Sequence, residues 1–178
     1  PEGGYRLEPD TRLRVGLCWT GSTFTPLNPM RRIPFEELAR VLDIPGVAFY
    51  GLQVLIGRRE IEGEGRLIDL APHIEDFGDT AAMVDQMDLV ITVDTSIAHI
   101  AGALGKPVWT LLARVADWRW GRDRETTPWY PTMRLFRQDR QGDWAGVVDR
   151  VASALRQTVE AHGGVPERRP FASPDPTG

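Results

Sequence analysis

The stretch "DLVITVDTSIAHIAGALGKPVW" (Asp88 to Trp109) concentrates the side chains best suited to chemistry. An apolar run stops at Asp94, Thr95 and Ser96, and a helix-like pattern of small residues begins there. The first turn of such a helix leaves free N–H groups at the positive end of the helix dipole. Thr95 and Ser96 add hydroxyl donors beside it, a combination suited to a diphosphate. His99 follows Ser96 by three residues, so both project from one face near the helix start. Ala98, Ala101, Gly102 and Ala103 permit close packing against a sheet or ligand. The same residues also fit a plain role, with Asp94 and Thr95 capping the helix and His99 an ordinary surface or core histidine.

Three further segments carry candidate groups. In "WTGS", Gly21 permits close backbone approach to a ligand, Ser22 and Thr23 can donate to phosphate, and Arg31 or Arg32 can neutralise it. A polar turn with solvated arginines is the alternative, and G-x-G-x-x-G is missing, so this is no dinucleotide fingerprint. In "DWRWGRDRETTPWYP", Trp118, Trp120, Trp129 and Tyr130 can stack on a base or sugar, or can anchor the loop to the core. Asp117 and Arg119 can reach a ligand, or can pair with each other. Gln53, at the end of "FYGLQ", can hydrogen-bond a base edge.

These groups must be positioned by strands and helices, and the hydrophobic pattern supplies them. Strands are expected at Leu13–Trp19, Val47–Gln53, Arg66–Leu70, Leu89–Val93, Pro107–Leu112 and Met133–Gln138. Helices are expected at Pro34–Ile44, with Pro34 in the first turn, at Asp79–Asp88 with an Asp cap, at Thr95–Gly105 with a glycine stop, and at Asp143–Ala161. Strands alternating with helices imply an α/β fold, a Rossmann-like parallel sheet with helices on both faces. In such a sheet ligands bind beyond the carboxyl ends of the strands, which is where the Gly21, Gln53, Asp94 and Trp118 segments fall. Residues 1–11 are expected to be a linker, 12–161 one Rossmann-like domain, and 162–178 a disordered tail.

Composition narrows the partners. The chain has 178 residues, 42% of them hydrophobic, and a net charge of −4, which gives no reason to expect nucleic acid or a membrane surface. No apolar run approaches the roughly 18 residues of a membrane span. Cys18 is the only cysteine, which rules out an internal disulfide and argues against a zinc cluster. A cytoplasmic location is therefore expected. The start "PEGGYRLEPD", without Met, suggests a processed or excised segment.

Taken together and in order, "VGLCWTGS", "RRIPFEEL", "GVAFYGLQ", the run from "IDLAPHIEDF" through "DTSIAHIAGALGKPVWTLL", and "DWRWGRDRETTPWYPTMRLFRQ" resemble one glycosyltransferase-like domain. That domain occurs at the C-terminal end of bacterial proteins carrying tetratricopeptide repeats. It is similar to the nucleotide-binding half of GT-B enzymes, especially the heptosyltransferases of glycosyltransferase family nine. The resemblance implies binding of a nucleotide-diphosphate sugar as donor substrate, with no metal or other cofactor. It places Asp94, Thr95, Ser96 and His99 at the diphosphate and sugar, Gly21 and Ser22 at the phosphates, and Gln53 near the nucleoside. It also implies an N-terminal helical-repeat or acceptor-binding domain as partner, so the half-domain alone is not expected to turn over. Thr25, Asn28 and Arg32 stand where relatives commonly have His, Asp and Ser, whereas Arg31 is retained; these departures bear on catalysis more than on nucleotide binding. A degenerate interaction or scaffold module and a nucleotide-sugar epimerase-like enzyme are the alternative functions.

Overall fold

The structure is a computed structural model that describes residues 5–21, 28–54 and 56–163. Six strands form one sheet: β1 (Leu13–Cys18), β2 (Val47–Gly51), β3 (Leu67–Asp69), β4 (Leu89–Val93), β5 (Val108–Leu112) and β6 (Met133–Arg137). Their spatial order is β3-β2-β1-β4-β5-β6, and every pairing is parallel. The Rossmann-like parallel sheet expected from the alternation is therefore the observed architecture. Between β1 and β4 the order reverses direction, which opens a crevice at their carboxyl ends.

Side chains alternate across the sheet and build a core on each face. Val15, Leu17, Leu89, Ile91 and Val93 join Val147, Val151 and Leu155 of helix α5 (Trp144–His162) on one face. Tyr50 and Val90 face the other way, toward Met83 and Val84 of α3 (Phe77–Asp85) and Ala98 and Ala101 of α4 (Ser96–Ala103). Asp143 caps α5 by accepting from the Gly146 N–H at 2.9 Å.

Element ends differ from the sequence expectation for local reasons. Pro34 is the N-cap residue rather than the first helical one; α2 covers Phe35–Leu38 and tightens into a 3-10 turn over Ala39–Asp43. Helix α3 starts two residues early because Asp76, not Asp79, caps it: Asp76 accepts from the Asp79 N–H, while the Asp79 carboxylate accepts from the Glu75 N–H. This reciprocal arrangement resembles a capping box. Helix α4 closes as a Schellman motif, with Gly105 N–H donating to the Gly102 carbonyl, Lys106 N–H donating to the Ala101 carbonyl, and Gly105 at φ 69°.

Tyr5 to Leu7, within the stretch expected to be a linker, lie against the domain. Tyr5 stacks on His73 at 3.8 Å, Leu7 N–H donates to the Gln86 side chain, and that side chain donates to the Tyr5 carbonyl. Residues 1–4 and all but the first two of the expected tail, 162–178, fall outside the described residues.

Candidate nucleotide-sugar site

A cavity of about 670 Å³ opens where the strand order reverses. Its floor comes from the segments after β1 (Thr20, Gly21), β2 (Leu52, Gln53, Val54) and β4 (Asp94, Thr95, Ser96). Its volume falls within the range typical of small-molecule sites. Seven residues singled out from the sequence line it: Gly21, Arg31, Gln53, Asp94, Thr95, Ser96 and His99. Asp117 and Trp118 do not, and Ser22 and Thr25 lie outside the described residues.

The turn into α4 does not make the cap that would give it a purely structural role. Thr95 is the N-cap residue, yet its side chain makes no capping bond. The Thr92 hydroxyl donates to the Val93 carbonyl at 2.9 Å, so Thr95, 3.1 Å from Thr92, donates inward to that oxygen. Asp94 is only 7% exposed, and its Oδ2 accepts no hydrogen bond. Its partner is Arg31, from the short helix α1 (Asn28–Arg31), whose Nη1 lies 3.4 Å away as an ion pair. A buried carboxylate oxygen without a donor is costly to maintain. It remains an acceptor for a group that enters the cavity.

His99 is held from two sides. Its Nδ1 is 3.0 Å from the Tyr130 hydroxyl, and its ring stacks on Trp120 at 5.4 Å. Glycine at 102 makes the first contact possible, because a Cβ there would sit 2.5 Å from the Tyr130 ring. Partial burial holds the imidazole pKa below its ordinary value of 6.5; Arg119 pushes the same way, against Asp94 and Asp117. His99 is therefore neutral at pH 7.

Gln53 serves the scaffold. Its Oε1 accepts from the N–H groups of Trp19 and Thr20 and from the Cys18 thiol, and its Nε2 donates to the Val54 carbonyl. The carboxamide thereby fixes the segment after β1. Asp117 pairs with Arg119 through two side-chain contacts, at 2.9 and 3.1 Å, and it is Arg119 that reaches the cavity. Within the aromatic segment, Trp120 is fully buried while Trp118 is 78% exposed and meets Trp129 edge-on. Arg32 is held by Glu60 at 2.6 Å.

The wall contributed by the start of α3 and the residues leading into it is absent from the sequence reading: Ile74, Glu75, Asp76, Phe77 and Thr80 line the cavity. The available signal is topological. Helix α3 follows β3, so its first turn stands at the same edge of the sheet. Phe77, 70% exposed in that turn, is an aromatic residue without a core to fill. The cavity thus has two characters. Leu52, Val54, Ile56, Ile74 and Phe77 come from the β2 and β3 side, whereas Asp94, Ser96, His99 and Arg119 follow β4 and β5. Two strand spacings, roughly 10 Å, separate these sides.

A parallel sheet in this order, with a crevice of small-molecule size at its reversal point and an uncapped helix N-terminus beside it, defines a Rossmann-like α/β domain. The model of glycosyltransferase family 9 (heptosyltransferase) matches residues 35–146, more than half of the chain, and the chain belongs to that family. It is 33% identical over 155 residues to Protein FlbA of Caulobacter vibrioides, covering 80% of this chain and 25% of that protein. Its fold matches a family 9 glycosyl transferase from Veillonella parvula with TM-score 0.62 at 17% identity, over 86% of this chain and 48% of the other. The ADP-heptose lipopolysaccharide heptosyltransferase II of E. coli matches with TM-score 0.59 at 18% identity, over 88% and 49%. The chain therefore spans a quarter of the first relative and about half of the two solved ones. Among the described residues no helix is long and apolar enough to cross a membrane.

Proposed function

We propose that this domain binds a nucleotide-diphosphate sugar in the β1–β4 crevice, as the donor half of an inverting glycosyltransferase. The observation that carries this reading is the convergence of Arg31, His99 and the uncapped start of α4 on one cavity, opposite the side that carries Leu52, Val54, Ile56, Ile74 and Phe77. The apolar side suits the nucleoside. The diphosphate fits the other side, where backbone N–H groups, the Ser96 hydroxyl and Arg31 supply donors and positive charge. Asp94, acceptor-only when ionised, suits a sugar hydroxyl better than a phosphate.

In the transfer step an acceptor oxygen forms a bond to the anomeric carbon while the bond from that carbon to the diphosphate breaks. Negative charge then grows on the leaving diphosphate oxygen. Donors already oriented at the start of α4 stabilise that charge without reorganising. The acceptor and the group that deprotonates it are expected from another part of the intact protein. A domain lacking them binds donor without transferring sugar.

His99 gives this reading a pH signature. A bound diphosphate favours the imidazolium, so the pKa of His99 rises on binding from its depressed value in the free protein. Between those two values binding takes up a proton, and affinity increases as pH falls, by at most about tenfold per pH unit. The gain is complete below the free-protein pKa and is lost as pH rises through the bound-state pKa. Calorimetric titration with a nucleotide-diphosphate sugar from pH 8 to pH 5.5 checks this. His99→Ala should bind more weakly and lose the slope; unchanged affinity and slope would remove His99 from the site.

A further inference from the structure

A second cavity, of about 540 Å³, lies at the outer edge of the sheet and shares no lining residue with the first. It is enclosed by β6, α5 and the arm that follows Trp120. Six arginines line it: Arg114, Arg122, Arg124, Arg134, Arg137 and Arg150. Asp123, Glu125 and Asp139 are the opposing carboxylates, so positive charge predominates there although the whole chain is acidic. Glu125 pairs with Arg134 at 3.3 Å, and Asp139 pairs with Arg150 at 2.7 Å. Among the described residues, Arg114, Arg122, Arg124 and Arg137 have no carboxylate within ion-pair distance.

Two buried donors in this cavity lack acceptors. Gln138 is 1% exposed, and its Oε1 is pinned by the N–H groups of Arg114 and Gly142 at 3.2 and 3.0 Å. That fixes the carboxamide with its Nε2 at the other end, buried and without a partner. Arg137 donates through Nη2 to the carbonyls of Trp120 and Gly121, while its Nε is buried and unpartnered. Burial, and then the neighbouring Arg114, lower the pKa of Arg137, against a smaller opposing pull from Asp123. Unsatisfied buried donors beside crowded like charges are expensive unless an anion completes them.

The arm is shaped to keep its arginines there. Gly121, at φ 62°, turns the chain so that the stem of Arg124 folds back onto it, 3.1 Å from where a Cβ would sit. The Thr126–Arg134 bridge and the Leu135 N–H to Glu125 carbonyl bond then hold the arm along β6. This covers the edge that an extended acidic peptide would need for strand addition.

We infer that this arginine-lined cavity at the β6 edge binds a small, multiply charged phosphate-bearing anion, independently of the donor crevice. Forked guanidinium donors suit phosphate oxygens, and the buried Gln138 Nε2 supplies a neutral donor.

The test is an NMR titration of the folded chain with inorganic pyrophosphate at constant ionic strength, with sodium chloride and a glutamate-rich peptide as controls. Saturable shifts are expected at the Gln138 side-chain amide, the Arg137 Nε–H and the Gly121 amide. They are counted separately from any shifts at Thr95 to His99. Gln138→Leu removes the buried donor but also frees two backbone N–H groups, so it is accompanied by the double variant Arg122→Gln/Arg124→Gln at exposed positions. The double variant should keep its melting temperature and weaken pyrophosphate at least tenfold. Absence of saturable shifts at Gln138, unchanged affinity in the folded double variant, or binding of the acidic peptide alone would overturn the inference.

Discussion

Replacing Arg31 with alanine is expected to weaken nucleotide-diphosphate sugar binding by roughly tenfold to a hundredfold, the effect of losing one charge-assisted contact worth about 1.5–3 kcal/mol. The same change removes the cation 3.4 Å from Asp94, whose Oδ2 already lacks a hydrogen bond. A carboxylate only 7% exposed is then left without its counter-charge, which is expected to destabilise the domain by about 1–3 kcal/mol. The two effects separate in a double variant. Arg31→Ala/Asp94→Asn removes the stranded charge and should recover most of the stability, but it should not recover donor affinity. Chemical denaturation and calorimetry on the wild type and these two variants provide the comparison. If the double variant bound donor as the wild type does, Arg31 would have no role in the site.

Trp120→Ala is expected to cost more stability than Arg31→Ala. The indole is fully buried within the core on the α3 and α4 face, and truncating a buried aromatic residue to alanine typically costs about 3–5 kcal/mol. For a domain of this size that lowers Tm by on the order of 10 °C. The site should suffer as well, because Trp120 is the surface on which the His99 ring stacks. Trp118→Ala is the control. Its side chain is 78% exposed and outside the cavity wall, so both Tm and donor affinity should stay close to wild type. Thermal melts of the pair decide whether the aromatic segment acts through its buried or its exposed tryptophan.

These two tryptophans show where sequence reading reached its limit. Short apolar runs bounded by turn or charged residues locate all six strands to within a residue or two, because a parallel strand buried on both faces is apolar almost throughout. Strand alternation with helices then yields the sheet, and the carboxyl-edge rule brings the Gly21, Gln53 and Asp94 segments to one place. The stretch from Ala113 to Thr132 has no period, so nothing local separates Trp120, which closes a core, from Trp118, which faces solvent. That distinction depends on a 3-10 turn over Trp118–Trp120 and on which side of it meets the sheet.

Polar side chains were legible as to position and not as to partner. Gln53 is at the edge of the crevice as its place after β2 requires, but its carboxamide is engaged by the backbone after β1, a segment 33–35 residues away. Thr95 has the composition of a cap, and its hydroxyl turns inward to Thr92 instead. The Arg31–Asp94 pair joins elements 63 residues apart and is invisible to any local pattern. The α3 wall is a similar case: Asp76 reads as one acidic residue among several until its capping bond sets the helix start and brings Phe77 to the cavity.

The central claim is that the crevice between β1 and β4 holds a nucleotide-diphosphate sugar. Isothermal titration of the folded chain with UDP-, GDP- and ADP-sugars tests it most directly. Saturable one-to-one binding of at least one of them is predicted, weakened in Arg31→Ala and in His99→Ala. No binding of any of the three at millimolar concentration by the folded domain would contradict it.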